Sequence, residues 1–246
     1  MDILLLRFEA PLMSFGGPLV DQQGVIQEFP ALCMLAELLG NSLGYDHAEA
    51  DKLEALQGRI RYAARADDPG HRLQDYQTVD LGQDFLVDTG WTTRGLVSER
   101  GKGEATSGTH IRFRDYFADA RYLVALALRE GSPTVDEVIA ALEKPARPLF
   151  LGRKPCVPAA PLFLKKVQAD SLFAALQSEP WLGPTGHEVP PGKNRAPVSA
   201  AVWWPADEGG SDDSRVFPTT DERDWRNQIV VGRRLVRQGS IRLAPQ

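Results

Sequence analysis

Cysteine and histidine are scarce in this chain. Its 246 residues include two cysteines, Cys33 and Cys156, and four histidines, His47, His71, His110 and His187. None has a second ligand at the short spacings that zinc sites require. Neither a metal nor a disulfide framework is therefore expected, and both cysteines read as buried, reduced thiols. Long apolar runs are also missing. Nothing approaches the ~18 residues that span a bilayer. The N-terminal run from Ile3 to Leu6 is cut by Arg7 and Glu9, too early for a signal sequence. A cytoplasmic protein with no membrane partner is expected. There is no P-loop, Rossmann glycine pattern, HExxH or GxSxG, which counts against an NTPase, a dehydrogenase or a common hydrolase, and no cofactor is expected. The net charge of -5 argues against a free-standing nucleic-acid binder.

The charge is unevenly spread. From Lys144 to Ala169 the chain holds Lys144, Arg147, Arg153, Lys154, Lys165 and Lys166 and no acid. A second stretch, Arg223 to Arg242, holds six arginines against Asp224 alone. An acidic body with basic strips suits a subunit that faces RNA on one side and protein on others; two solvated faces are the simpler alternative.

Hydrophobic periodicity predicts a strand over 3–9, a glycine- and proline-rich turn from Pro11 to Pro18, and a helix over 30–43. In that helix Leu32, Leu35, Ala36, Leu39 and Leu43 share a face, between Pro30 and Gly44 as start and stop signals. A short polar helix is expected over 48–57. Strands follow at 59–66, with arginines on one face, at 73–80 and at 121–129. Thr134 and Glu137 have capping-box spacing at the start of another helix. A strand near 147–151, a short helix over 170–178 capped by Asp170, and strands at 198–204 and 227–237 complete the pattern. Gly209 to Ser214 reads as a mobile loop. The order strand, helix, strand, strand, strand, helix, strand predicts an α+β, ferredoxin-like (RRM-like) plan. In that plan helices cover one sheet face and the other stays free for RNA. Residues 81–115 are polar and glycine-rich, and too long for a plain loop. They read as a projecting β-hairpin with a flexible Gly101-Lys102-Gly103 tip. The expected division is an RRM-like domain over 1–150, including that insertion, and a smaller β-rich region over 151–246.

Several segments carry a resemblance. Leu151-Gly152-Arg153-Lys154-Pro155-Cys156-Val157-Pro158 is followed by Pro161-Leu162-Phe163. Asp75-Tyr76-Gln77-Thr78-Val79 and Arg114-Asp115-Tyr116-Phe117-Ala118-Asp119-Ala120 follow the same order and rough spacing, as does Ala10-Pro11-Leu12-Met13-Ser14-Phe15-Gly16. Together they resemble the type I-E CRISPR Cascade subunit CasD family of the RAMP superfamily, from residue 1 to about 165. Val25-Ile26-Gln27 and Ala31-Leu32-Cys33 depart from it, standing where the family usually has Arg-Pro-Thr and a Ser/Gly-containing helix start. Either RNA contacts are lost there or a different protein partner covers that surface.

The resemblance implies an RRM-like RAMP domain with a β-hairpin thumb. It implies a non-catalytic subunit that caps the 5′ handle of the CRISPR RNA (crRNA), between the Cascade large subunit and the backbone subunit, with target DNA met only through the complex. Candidate RNA-binding residues are Phe15 and Gly16 in the first turn, and Tyr76 and Gln77. Arg94, Arg100, Lys102, Arg112 and Arg114 are the candidates in the insertion, with Phe85, Trp91 and Phe113 as stacking or packing aromatics. Gly152, Arg153 and Lys154 follow, with Gly152 letting the backbone approach a phosphate and the two cations gripping it. The alternative is a metal-free endoribonuclease, with His110, Tyr76 and Lys102 as general base, general acid and charge stabiliser. A ferredoxin-like protein- or ligand-binding domain without RNA is a further alternative.

Overall fold

A computed structural model describes residues 1–17, 19–20, 22–80, 89–91, 97–99, 109–183, 198–209 and 213–243. The chain divides into a main unit, residues 1–17, 26–73 and 116–246, and a smaller unit, residues 18–25 and 74–115. In chain order the elements are β1 (Asp2–Glu9), β2 (Leu12–Met13), β3 (Leu19–Val20), β4 (Gln23–Gly24), α1 (Leu32–Ser42), α2 (Ala50–Arg59), β5 (Ile60–Asp68) and β6 (His71–Asp80). Next come β7 (Thr89–Trp91), β8 (Val97–Glu99), β9 (Thr109–Ala118), β10 (Arg121–Leu128), α3 (Val135–Glu143), β11 (Phe163–Gln168) and α4 (Leu172–Ser178). The chain closes with β12 (Val198–Pro205), β13 (Arg215–Thr219), β14 (Glu222–Asp224), β15 (Ile229–Val231) and β16 (Arg234–Leu243).

The main unit is built on a seven-stranded sheet in the order β11-β1-β10-β5-β12-β16-β13, with every pairing antiparallel. Helices α1 and α2 lie between β1 and β5 in sequence, and α3 between β10 and β11. Alternation sends β1 residues to both faces. Leu4, Leu6 and Phe8 pack with α1, α2 and α3 through Leu35, Leu39, Leu53 and Val138. Ile3 and Leu5 face the other way and pack with Leu172, Ala175 and Leu176 of α4 and with Trp204 of β12. Both faces of the central strands β1, β10 and β5 are thus buried, so among the described residues the middle of the sheet does not offer the free RNA-facing surface expected from the sequence. Run-on apolar strands such as Leu123 to Ala127 already carry that two-sided pattern.

Helix α4 is held by charge as well as packing. Arg65, fully buried, pairs bidentately with Asp67 at 2.5 and 2.8 Å. It also donates to the carbonyls of Leu176, Glu179 (2.7 Å) and Pro180 (2.8 Å). Trp181 Nε1 donates to the Asp67 carbonyl at 2.8 Å. Every donor of a buried guanidinium placed this way has a partner, which is what makes its burial tolerable.

Several elements differ from expectation. No strand forms at 147–151. The segment carries Pro148 and is flanked by Pro145, Pro155, Pro158 and Pro161, which cannot donate to a ladder, and the strand comes later as β11. The cap of α4 is Ser171, whose Oγ accepts the Ala174 N–H at 3.0 Å, not Asp170. The single strand expected at 227–237 is two, because Gly232 takes a φ of +78° between β15 and β16. The α3 capping box is present as expected. The 150/151 boundary does not separate two units. Strand β12 pairs with β5 and β11 with β1, so the C-terminal region shares the sheet of the N-terminal one.

In the smaller unit β9 pairs with β6 and, in parallel, with β4, which pairs with β3. Strands β7 and β8 pair antiparallel. The expected insertion of 81–115 is thus widened by 18–25 and 74–80. No helix among the described residues is long and apolar enough to cross a membrane.

Candidate nucleic-acid interface

Two turns of the main unit lock together. The Ser14 N–H donates to the Leu151 carbonyl at 3.0 Å. The Leu151 N–H donates to the Cys156 carbonyl at 2.7 Å, and the Cys156 N–H to the Arg153 carbonyl at 2.8 Å. Gly152 has a φ of +104°, and a Cβ there would lie 1.7 Å from the Ser14 carbonyl oxygen. The sequence reading gives this glycine the task of meeting a phosphate. Its close neighbour is instead the Ser14 backbone, because the missing Cβ is what lets one turn sit on the other.

This arrangement presents Arg153 and Lys154. Lys154 is exposed and Arg153 half-buried. The Arg153 guanidinium lies 4.9 Å from the centre of the Tyr116 ring. Stacking on a ring fixes the guanidinium plane and hence the directions of its N–H donors. Tyr116 was not distinguishable from a core residue in the sequence. Beneath the turn Cys156 is buried, and burial pushes its thiol up to about 11 although Arg153 pulls the other way.

The first turn is different from its expected role. Gly16 has a φ of +86°, and its carbonyl accepts the Gln27 N–H at 3.0 Å. Phe15 is fully buried, 4.8 Å from the Tyr122 ring in an edge contact and 5.7 Å from Phe117. Its side chain is a core anchor and is not available to a base. Half of the departing positions are core, with Ile26, Ala31 and Leu32 buried, while Val25 is exposed and Gln27 and Cys33 are half-buried. Ala31 supplies no side-chain cap to α1. Asp221 does so from the distant C-terminal region. Its Oδ2 accepts the Leu32 N–H at 3.0 Å, and its carbonyl accepts the Cys33 N–H at 2.8 Å. Arg234 grips the same carboxylate at 2.7 and 2.6 Å. No local spacing could reveal a cap lying 189 positions away.

The basic strips are less available than their composition implies. Arg147 donates to the carbonyls of Tyr45 (2.5 Å) and Gly44 (3.2 Å). Lys165 pairs with Glu179 at 2.7 Å and Lys166 with Asp136 at 2.8 Å. In the second strip Arg226 pairs with Asp51 and Arg234 with Asp221. Acids from elsewhere in the chain thus pair with Lys165, Lys166, Arg226 and Arg234 of the twelve cations in the two strips.

In the smaller unit β6 is exposed along its length apart from Asp75. Tyr76 is 57% exposed, with its ring 5.5 Å from Phe113. Gln77 Nε2 donates to Asp75 at 2.6 Å. Arg112 and Arg114 share the face of β9 opposite Phe113, as expected from alternation. Arg114 donates to the carbonyls of Gln22 (3.1 Å) and Phe113 (3.0 Å), and Arg112 to that of Ile111 (2.8 Å). His110 lies on the arginine face and Tyr76 contacts Phe113 on the other, so the proposed base and acid are not brought together. Arg94, Arg100, Lys102 and Phe85 lie outside the described residues, as does the side chain of Trp91. No group of His, Cys, Asp or Glu that could hold a metal gathers among the described residues.

Comparison with known proteins decides the family. The model described as CRISPR-associated protein (Cas_Cas5) matches residues 3–237. This chain belongs to the CRISPR-associated Cas5 family. A curated relative, the CRISPR system Cascade subunit CasD of Escherichia coli strain K12, is 32% identical over 189 residues, covering 72% of this chain and 77% of its own. A solved chain titled CRISPR RNA-guided surveillance complex superposes with a TM-score of 0.70 at 22% identity, over 98% of this chain and 90% of that one. A second, titled crystal structure of Cas protein, gives 0.63 at 22% identity, over 99% and 98%. These two likenesses speak for the fold of this Cas5-family chain, which is mixed α and β and rich in sheet.

Proposed function

We propose that this chain is a Cascade subunit that binds and caps the 5′ handle of crRNA, links the large subunit to the backbone subunit, and meets target DNA only through the complex. The observation that carries this reading is the turn at 151–156. It presents Arg153 and Lys154 from a backbone held rigid by Gly152 against Ser14, in a stretch with no acidic residue. Cations on a fixed turn grip phosphates without an ordering cost at binding. Membership of the Cas5 family, and a relative named as a Cascade subunit, support the complex. The strand order β11-β1-β10-β5, with helices between the first and second strands and between the third and fourth in sequence, supports a ferredoxin-like RAMP core. We read the smaller unit as the family's thumb, with Tyr76, Gln77, Arg112 and Arg114 as RNA contacts. Arg94, Arg100 and Lys102 of the insertion join them in this reading.

Handle binding is tested by the double variant Arg153→Ala, Lys154→Ala. Loss of two phosphate contacts lowers the slope of log K against log salt by about 1.4 for single-stranded RNA. An unchanged slope and affinity would remove RNA from this turn. We read the subunit as non-catalytic. Incubation of the pure protein with repeat RNA in EDTA should leave the RNA intact, and cutting at one position that depends on His110 would favour the endoribonuclease.

A further inference from the structure

The sheet has two ends, and the turn just described occupies one of them. Strand β1 finishes there at Glu9, opposite Arg121 at the start of β10, which in turn faces Asp68 at the end of β5. At the other end β5 begins at Ile60 against Leu128, and β12 finishes at Pro205 against Val236. The two ends are about 26 Å apart at the usual strand rise. A cleft of about 610 Å³ opens at this second end, a size common for ligand and peptide sites.

Its floor is apolar, with Leu32, Ile60, Tyr62, Pro205 and the exposed Leu235. Its lining holds three arginines, Arg61, Arg129 and Arg234, and three acids, Glu54, Asp207 and Glu222, and their pairing decides what is left over. Arg61 donates to both carboxylate oxygens of Asp207 at 2.9 Å, with Glu208 at 3.6 Å. The pair and the neighbouring Arg129 hold the Asp207 carboxyl below its usual range, chiefly through the Arg61 hydrogen bonds. Arg234 is committed to Asp221. Glu54 of α2 and Glu222 of β14 also line the cleft, and neither has an ion-pair partner among the described residues. Glu222 is held in place by shape, since a Cβ on Gly232 would lie 2.3 Å from its Oε2. The hairpin that carries Glu222 also exposes Ile229 (55%) and Val230 (49%). Arg129 is the one lining arginine without an ion pair among the described residues, so a polyanion would meet two carboxylates, Glu54 and Glu222, against one cation, and nucleic acid is the poorer occupant. An apolar floor below unpaired carboxylates is complementary to a cationic side chain on an apolar stem.

We infer that this cleft docks a polypeptide segment of a partner subunit in which a lysine or arginine is flanked by apolar residues. The inference rests on the reading of the chain as part of a multi-subunit complex. It divides the main unit into an RNA end and a protein end.

Two measurements test it. In the complex co-expressed with crRNA, p-benzoylphenylalanine replaces Leu235 and is photoactivated. The expected product is a crosslink to a polypeptide next to a Lys or Arg. Combined Glu54→Lys and Glu222→Lys should cut its yield about tenfold and leave bound RNA per complex unchanged. A crosslink to RNA or to a segment without a cation, or no crosslink in an RNA-containing complex, overturns the inference. In the isolated chain, acetyl-Leu-Arg-Leu amide should shift the NMR amide signals of Gly58 and Gly232 saturably, and the charge-reversed variant should not respond. Absence of that response overturns the inference whether or not a complex forms. A chain that enters no RNA-containing complex instead sinks the function proposed above and leaves the peptide titration to decide the cleft.

Discussion

Replacing Gly152 by alanine isolates the contact on which the 151–156 turn depends. The new Cβ would start 1.7 Å from the Ser14 carbonyl oxygen, whereas real Cβ contacts lie beyond 3.0 Å. The obstacle is backbone, so no side-chain rotation relieves it, and the two turns must separate by more than an ångström. That breaks the Ser14–Leu151 hydrogen bond, a loss of about 1 kcal/mol. It adds about 2 kcal/mol of strain for a non-glycine residue at this φ. The sum, about 3 kcal/mol, lowers the melting temperature by about 6–12 °C in a chain of this size. The same displacement moves Arg153 and Lys154, so under the proposed function crRNA affinity should fall together with stability. Gly58→Ala is the control. A Cβ at Gly58 meets nothing within 4 Å, and alanine in a helix is stabilising by up to about 1 kcal/mol. The two glycine substitutions should therefore shift the melting temperature in opposite directions. If Gly152→Ala melts within about 1 °C of the parent, the packing account of that turn is wrong.

Three further outcomes follow from other contacts. Asp221→Asn leaves the Arg234 guanidinium without its carboxylate and weakens the remote cap of α1. Urea unfolding should show a loss of about 3–5 kcal/mol, and a change below about 1 kcal/mol would mean the network is incidental. Leu176→Ala opens a cavity between α4 and the second sheet face and should cost about 2–5 kcal/mol without altering the 151–156 turn. Cys33 and Cys156 are both pushed up to about 11, each mainly by burial. Below the ordinary thiol pKa, near 8.5, this has no effect on stability. Above it the unfolded chain loses thiol protons that the native state keeps, so stability falls as the pH rises from about 9 to 11. Cys156→Ala should reduce that slope. Native-state alkylation of Cys156 at pH 8 should be slow, and rapid alkylation would contradict the burial.

The acid-free strip shows how local composition misleads. A stretch of sequence reports its own charges and none of those that the fold brings against it. Lys165 meets Glu179, Lys166 meets Asp136, and Arg226 meets Asp51. At the 151–156 turn the unusual feature is the backbone, which Gly152 lets sit against Ser14 with Lys154 exposed and Arg153 half-buried beside Tyr116. Phe15 misleads in the same way. A phenylalanine beside a glycine turn fits RNA stacking as well as core packing, and only the rings of Tyr122 and Phe117 decide for the core.

The sequence alone determined the elements whose signals are local. The apolar runs of β1 and β10, the 3.6-residue stripe of α1 and the Thr134–Glu137 box of α3 act over a few residues and form as their pattern dictates. The order of motifs determined the family for the same reason, since each motif is contiguous. Tertiary structure alone decided whether the second sheet face is open, which residue caps α1, why Gly152 must be glycine, and which cations meet carboxylates. Each of those depends on a partner tens to hundreds of positions away, and burial and electrostatic pairing follow distance in space rather than distance along the chain.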